Sequence, residues 1–152
     1  ARRVSVIIRT MSKLPVVMTF AGHDPSGGAG LQADIEVLAG QGCHATPVIT
    51  ALTVQDSRTV IDFTPVPATH VITQARAVLE DMPVAAFKVG MLGSVGNTEV
   101  LHSLLTDYPD IPLVLDPVLA AGDGSQLGED ELPRAISELL LPHTTILTPN
   151  SP

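Results

Sequence analysis

The chain has 152 residues, 45% of them hydrophobic and 3% aromatic with no Trp, and 8 basic against 16 acidic side chains give a formal charge of -8. That apolar content excludes charge-driven disorder of the whole chain, and the scarcity of aromatics argues against a base-stacking surface for single-stranded nucleic acid. Four of the cations, Arg2, Arg3, Arg9 and Lys13, lie at the start, so residues 14–152 carry 4 basic and 16 acidic groups, or -12. Such a body repels nucleic acid and anionic membrane alike, and neither is an expected partner. A lone Cys43 rules out an intrachain disulfide and a cysteine zinc cluster. A reducing, cytoplasmic setting fits, and no apolar run reaches the roughly 18 residues of a membrane helix.

Residues 1–13 are Arg-rich and acid-free, as transit peptides are. Met11-Ser12-Lys13 nevertheless reads as a natural start just ahead of the first strand, so 1–13 is expected to be an upstream extension and 14–152 the folded part. The β-rich run 15–22 predicts a strand. Residues 29–41 predict a helix, with Leu31, Ile35, Leu38 and Ala39 on one face and Gly42 as its stop. A second buried strand follows over 44–54, a helix over 68–81, a strand over 85–89 and a helix over 95–107. The run 113–115 is a strand with Asp116 at its end, 131–141 a helix and 144–147 a final strand. Long loops are expected over 54–69 and 120–129. Strand–helix alternation with near-continuous apolar strands predicts a parallel sheet covered by helices on both faces.

In such sheets ligands bind beyond the carboxyl ends of the strands. The residues just after the strands are therefore the candidates: 22–30, Gln55 and Asp56, Gly90 and Met91, 116–118 and 148–150. The densest motif is AGHDPSGGAGLQAD, residues 21–34. Its glycines let the backbone approach a ligand closely and turn into a helix. It fails as a Walker loop, because Gly28-Ala29 stands where Lys-Ser/Thr is required. Residues 28–33 match a G-x-G-x-x-A dinucleotide fingerprint, but the insertion 23–28 is too long for that tight turn, and Asp56 is the only acid placed to hold a ribose. A dinucleotide-binding oxidoreductase half is the less favoured alternative. Asp34 lies one turn past Gly30, as an ordinary helix-start acid or as a carboxylate facing the site to accept from a bound hydroxyl. Lys88, the only Lys beyond the start, reads as structural or edge-exposed rather than as a phosphate ligand, and the five histidines show no metal-ligand spacing.

The string AGHDPSGGAGLQAD, then VITALTVQD, KVGML, LDPVL and TPN in that order, resembles the hydroxymethylpyrimidine/phosphomethylpyrimidine kinases, ribokinase-like enzymes of thiamine biosynthesis. The likeness runs from about residue 14 to residue 152. It implies a three-layer α/β/α fold with a mostly parallel sheet, incomplete at its C-terminal end. It also implies ATP- and Mg²⁺-dependent phosphorylation of 4-amino-5-hydroxymethyl-2-methylpyrimidine and of its monophosphate, and a homodimer. Asp34 and Gln55 would sit in the pyrimidine pocket, where an amide can accept from the exocyclic amine and donate to the ring nitrogen. Met91 and Val118 would line the ring faces, unless they simply pack. Ala29 and Gly30 would bring backbone close to the substrate. Asp116 would serve Mg²⁺ or the transferred phosphate, and Asn150 would open an Asn-x-x-Glu element serving Mg²⁺ and phosphate. The glycine-rich anion hole and the general base of the resembled enzymes have no counterpart in these 152 residues, so no catalytic residue is assigned. The chain alone is expected to be nearly inactive, and a non-catalytic pyrimidine-binding module stays open as an alternative.

Overall fold

The computed structural model describes residues 14–120 and 127–149; the predicted extension 1–13 and Asn150 lie outside them, as does most of the predicted loop 120–129. Along the chain run β1 (Val16–His23), α1 (Gly30–Gly40), β2 (His44–Gln55), β3 (Val60–Pro65), α2 (Ala68–Asp81), β4 (Val84–Val89), α3 (Val95–Asp107) and β5 (Leu113–Leu115). A short helix, α4 (Leu132–Ala135), continues into a wider π-turn (Ile136–Leu140) and a 3₁₀ turn (Leu141–His143) before β6 (Thr144–Leu147). The strands form one six-stranded sheet in the order β3-β2-β1-β4-β5-β6. All pairings are parallel except β2 with β3.

Strand polarity follows from connection length. A helix-bearing crossover returns the chain in parallel, whereas the four residues between β2 and β3 can only make a hairpin. The predicted loop 54–69 is thus corrected: it holds β3, which pairs Leu52 with Thr64 and Val54 with Asp62. Its sequence VIDFTP alternates poorly and ends in Pro, which is tolerated on a sheet edge. The predicted helix 131–141 is present but irregular. Leu132, Ile136 and Leu140, four residues apart, all reach the core, and Pro142 lacks the N–H that would continue an α-helix.

Alternation along the parallel strands divides the molecule into two sides. Met18 and Phe20 of β1 and Phe87 and Val89 of β4 are fully buried against α2, α3 and the π-turn in the main core. The Phe20 and Phe87 rings meet edge to face at 6.0 Å, the arrangement that aromatic quadrupoles favour. On the opposite side α1 lies over β1 and β2. There Thr19 of β1 stands in register with Lys88 of β4, and Lys88 with Val114 of β5. None of the described helices is long and apolar enough to cross a membrane.

Candidate active site

The carboxyl ends of β1, β2, β4 and β5 open onto a cavity of about 630 Å³. Its mouth is shaped by the loop from β1 to α1. Asp24, 6% exposed, organises that loop as an Asx turn, the structure that an Asp followed by Pro-Ser-Gly favours. One carboxylate oxygen accepts from the Ser26 N–H and the Ser26 hydroxyl, each at 2.8 Å, and the other from the Ala29 N–H at 2.8 Å. Burial pushes the Asp24 carboxyl up, but the bonds from Ser26, Ala29 and the Gln55 side chain together hold it below its ordinary value of 3.8. The loop then folds back onto its own strand at Gly30, whose φ is +59°. A Cβ there would lie 2.3 Å from the Gly22 carbonyl oxygen. Only glycine fits this approach.

The polar floor comes from three elements. Asp34 on α1 receives Lys88 Nζ at 2.9 Å on one carboxylate oxygen and 3.2 Å on the other. The Thr19 hydroxyl, fully buried in β1, donates to the second oxygen. Asp34 is therefore held on two sides rather than left as a free helix-start acid. Of the two sequence readings of Lys88, the exposed edge is excluded and the structural one fits: it sits on an interior strand, paired with Asp34, its side chain 25% exposed and lining the cavity. Its ammonium passes close to Gly90, where a Cβ would lie 3.2 Å from Nζ, so a side chain at 90 would press on it.

Gln55, the last residue of β2, faces the same hollow. The Thr53 hydroxyl ties this end of β2 to β1 by donating to the His23 carbonyl at 2.7 Å. The cavity also meets an apolar cluster separate from the main core, built from Ala51, Met91 and Leu127 with Val60, Phe63 and Val118 packed against it; Val60, Met91, Val118 and Leu127 line the hollow. Met91 is fixed from behind: the Thr50 hydroxyl donates to its carbonyl, and the buried Asn97 amide donates to the carbonyls of Leu92 at 2.9 Å and Thr50 at 3.1 Å.

The described residues given a role by the resemblance, Ala29, Gly30, Asp34, Gln55, Met91, Val118 and Asp116, all line this one cavity. Thr148 does not; its N–H donates to the Leu115 carbonyl at 2.9 Å. Asp56 lines the rim, but its carboxylate accepts from the N–H groups of Arg58 at 2.8 Å and Thr59 at 2.9 Å. Bonds from Thr59 and Arg58 lower its pKa, and a carboxylate so engaged in its own turn is poorly placed to grip a ribose. Sequence reasoning passed over Thr19 and Arg58, gave Asp24 no role beyond its place in the 22–30 stretch, and weighed Lys88 only to set it aside as structural or edge-exposed. Only Asp24 carried a signal, in its turn chemistry.

Asp116 follows β5, its N–H bonded to the Val89 carbonyl at 2.8 Å, and its carboxylate lines the cavity. Among the described residues no three His, Cys, Asp or Glu side chains gather to hold a metal ion. Magnesium does not need such a cage, because it is commonly held by one or two carboxylates together with water and substrate phosphates. Asp116 fits that modest demand.

Residues 24–152 match the phosphomethylpyrimidine kinase family. A hydroxymethylpyrimidine/phosphomethylpyrimidine kinase of Haemophilus influenzae is 40% identical over 142 residues, covering 93% of this chain and 53% of the relative. Among solved structures, the phosphomethylpyrimidine kinase of Clostridium difficile 630 superposes with a TM-score of 0.82 at 34% identity, covering 90% of this chain and 59% of that one. The pyridoxal kinase of Staphylococcus aureus in complex with AMP-PCP and pyridoxal superposes with a TM-score of 0.72 at 32% identity, covering 90% and 48%. The chain thus spans about half the length of these relatives. With the family matched over most of its residues and the ribokinase-like layers in place, the chain belongs to the phosphomethylpyrimidine kinase family.

Proposed function

We propose that this chain forms the acceptor side of a kinase that transfers the terminal phosphoryl group of ATP to the hydroxymethyl group of 4-amino-5-hydroxymethyl-2-methylpyrimidine, and then to the resulting monophosphate. The observation that carries this reading is the cavity itself, which gathers the apolar Met91 and Val118 and the polar Asp34 and Gln55 around one hollow. A flat heteroaromatic ring with a polar edge needs both. The names of the relatives, which cover most of this chain, support the same substrate class.

In this reading the Gln55 carboxamide accepts from the exocyclic amine and donates to the neighbouring ring nitrogen. A neutral amide does this at lower cost than an unpaired charge in a partly apolar site. Met91 and Val118 press on the ring faces. Asp34, held in place by Thr19 and Lys88, accepts from the hydroxymethyl group and fixes its direction. Ala29 and Gly30 bring main chain to the substrate without side-chain obstruction. Asp116 and Asn150 are the residues that would hold Mg²⁺ and the nucleotide phosphates. When bound, the metal supplies positive charge to the moving phosphoryl group, whose transfer rests on positioning and electrostatics. We place this reaction in the cytoplasm and in a homodimer.

Titration calorimetry with 4-amino-5-hydroxymethyl-2-methylpyrimidine tests the acceptor site directly. Gln55→Ala is expected to weaken binding about ten- to hundred-fold, the loss of a paired polar contact at a desolvated site, with an unchanged far-UV spectrum. Undiminished affinity in that variant refutes the assignment.

A further inference from the structure

Resting on the reading of this cavity as the pocket for an aminopyrimidine alcohol, we propose that Lys88 is the specificity determinant for the phosphorylated form of that ligand. The cavity is acidic: Asp24, Asp34, Asp56 and Asp116 line it, with His23, Arg58 and Lys88 the basic groups on its wall. A phosphomonoester carrying nearly two negative charges meets four carboxylates there, whereas a neutral alcohol meets no such penalty. Something must offset that repulsion if both forms are to bind.

Cations are scarce enough for their placement to be informative. Residues 14–149 contain four, Arg58, Arg76, Lys88 and Arg134. Arg76 and Arg134 are tied up in exposed ion pairs with Asp107 and Glu138. The other two line the cavity. Arg58 sits in the exposed turn between β2 and β3, where water and salt screen it. Lys88 is on the floor, and three features direct it there. It occupies an interior strand, where a lysine is costly unless used. Gly90, without a side chain, leaves its ammonium room. The two oxygens of Asp34, at 2.9 and 3.2 Å, hold the ammonium beside the carboxylate that would receive the hydroxymethyl group. A phosphate on that same carbon would therefore come to Lys88. In the unliganded site Asp34 neutralises the ammonium; with the ester bound, Lys88 stands between the phosphate and the Asp34 charge.

The test is the ratio of two affinities measured by calorimetry on the 152-residue chain, one for 4-amino-5-hydroxymethyl-2-methylpyrimidine and one for its phosphate monoester. Lys88→Met is expected to shift the ratio against the ester by about ten-fold or more, beyond whatever alcohol affinity is lost because Asp34 gives up one of its holding partners. Asp34→Asn keeps the shape and removes the opposing charge, so it is expected to move the ratio the other way, in favour of the ester. Should Lys88→Met fail to fold, the ratio in Lys88→Gln, which keeps a polar tip without the charge, decides. A ratio unchanged in the folded variants overturns the proposal, as does an equal loss of both ligands on removal of Lys88. Wild-type chain that binds the alcohol but not the ester also overturns it while leaving the pocket assignment intact. Wild-type chain that binds neither overturns both.

Discussion

Replacing Gly30 by alanine would set a Cβ 2.3 Å from the Gly22 carbonyl oxygen at a residue whose φ is +59°. Two costs add. A side chain in the left-handed region costs about 1–2 kcal/mol. The Cβ–oxygen separation must also open from 2.3 Å to at least 3.0 Å against the backbone of β1, an overpacking that costs about 1–3 kcal/mol. The total, about 2–5 kcal/mol, corresponds to a fall in melting midpoint of about 10 °C for a chain of this size at 2–4 °C per kcal/mol. Two further glycines separate the two costs. Gly42 has φ +74° with nothing within 4 Å of the position its Cβ would take, so Gly42→Ala bears the conformational cost alone, about 1–2 kcal/mol. Gly40 closes α1 with no positive φ and open space around it, and Gly40→Ala is expected to stabilise by about 0.4–1 kcal/mol through the unfolded state. Thermal melts followed by circular dichroism read all three. A Gly30→Ala midpoint no lower than that of Gly42→Ala refutes the close-approach argument, because the methyl would then have met no obstruction.

Asp24→Ala is expected to destabilise by about 1–3 kcal/mol at pH 7, since the Ser26 and Ala29 N–H groups lose their acceptor. Asp24's folded pKa is lowered, so its contribution is present above the unfolded value near 3.8 and is lost as pH falls through the folded one. Urea melts at pH 7 and pH 3 check the sign: the gap between wild type and Asp24→Ala narrows at pH 3, and a gap that widens contradicts it. Phe20→Ala is expected to cost about 3–5 kcal/mol, because Phe20 is fully buried against Phe87; a loss below about 1 kcal/mol in chemical denaturation means that the core has collapsed around the gap. Asn97→Ala removes the two amide bonds behind Met91 and is expected to weaken pyrimidine binding while also lowering stability, whereas Gln55→Ala lowers binding with little change in the melt.

The architecture is legible in the sequence where one physical signal dominates. Helices α2 and α3 and strands β5 and β6 match their predicted bounds to the residue, because 3.6-residue periodicity or a short apolar run between polar boundaries leaves little choice. β3 is not visible in this way. Val60–Pro65 has two charged or polar positions and a proline, and becomes a strand because the hairpin turn after Gln55 returns it alongside β2. The irregular end of α4 is hidden for a related reason: Leu132, Ile136 and Leu140 keep helical spacing, and only the packing geometry shows that the turns between them widen.

The site divides along the same line. Glycine-rich loop, strand-end acid and strand-end amide are all local features, so 29–30, 34, 55, 91, 116 and 118 can be named from the chain alone. Lys88 can be noticed there but not placed, because its setting depends on three residues that the fold brings to it. Thr19 stands in register beside it, Asp34 descends from the helix above, and the missing side chain at 90 leaves it room. A strand sequence specifies alternation but not which face meets a helix and which meets a hollow. With Phe87 and Val89 buried in the main core on one side, the intervening Lys88 has to face α1. An ammonium there must reach either a partner or solvent, and the fold supplies both: a carboxylate at its tip, and a cavity immediately beyond.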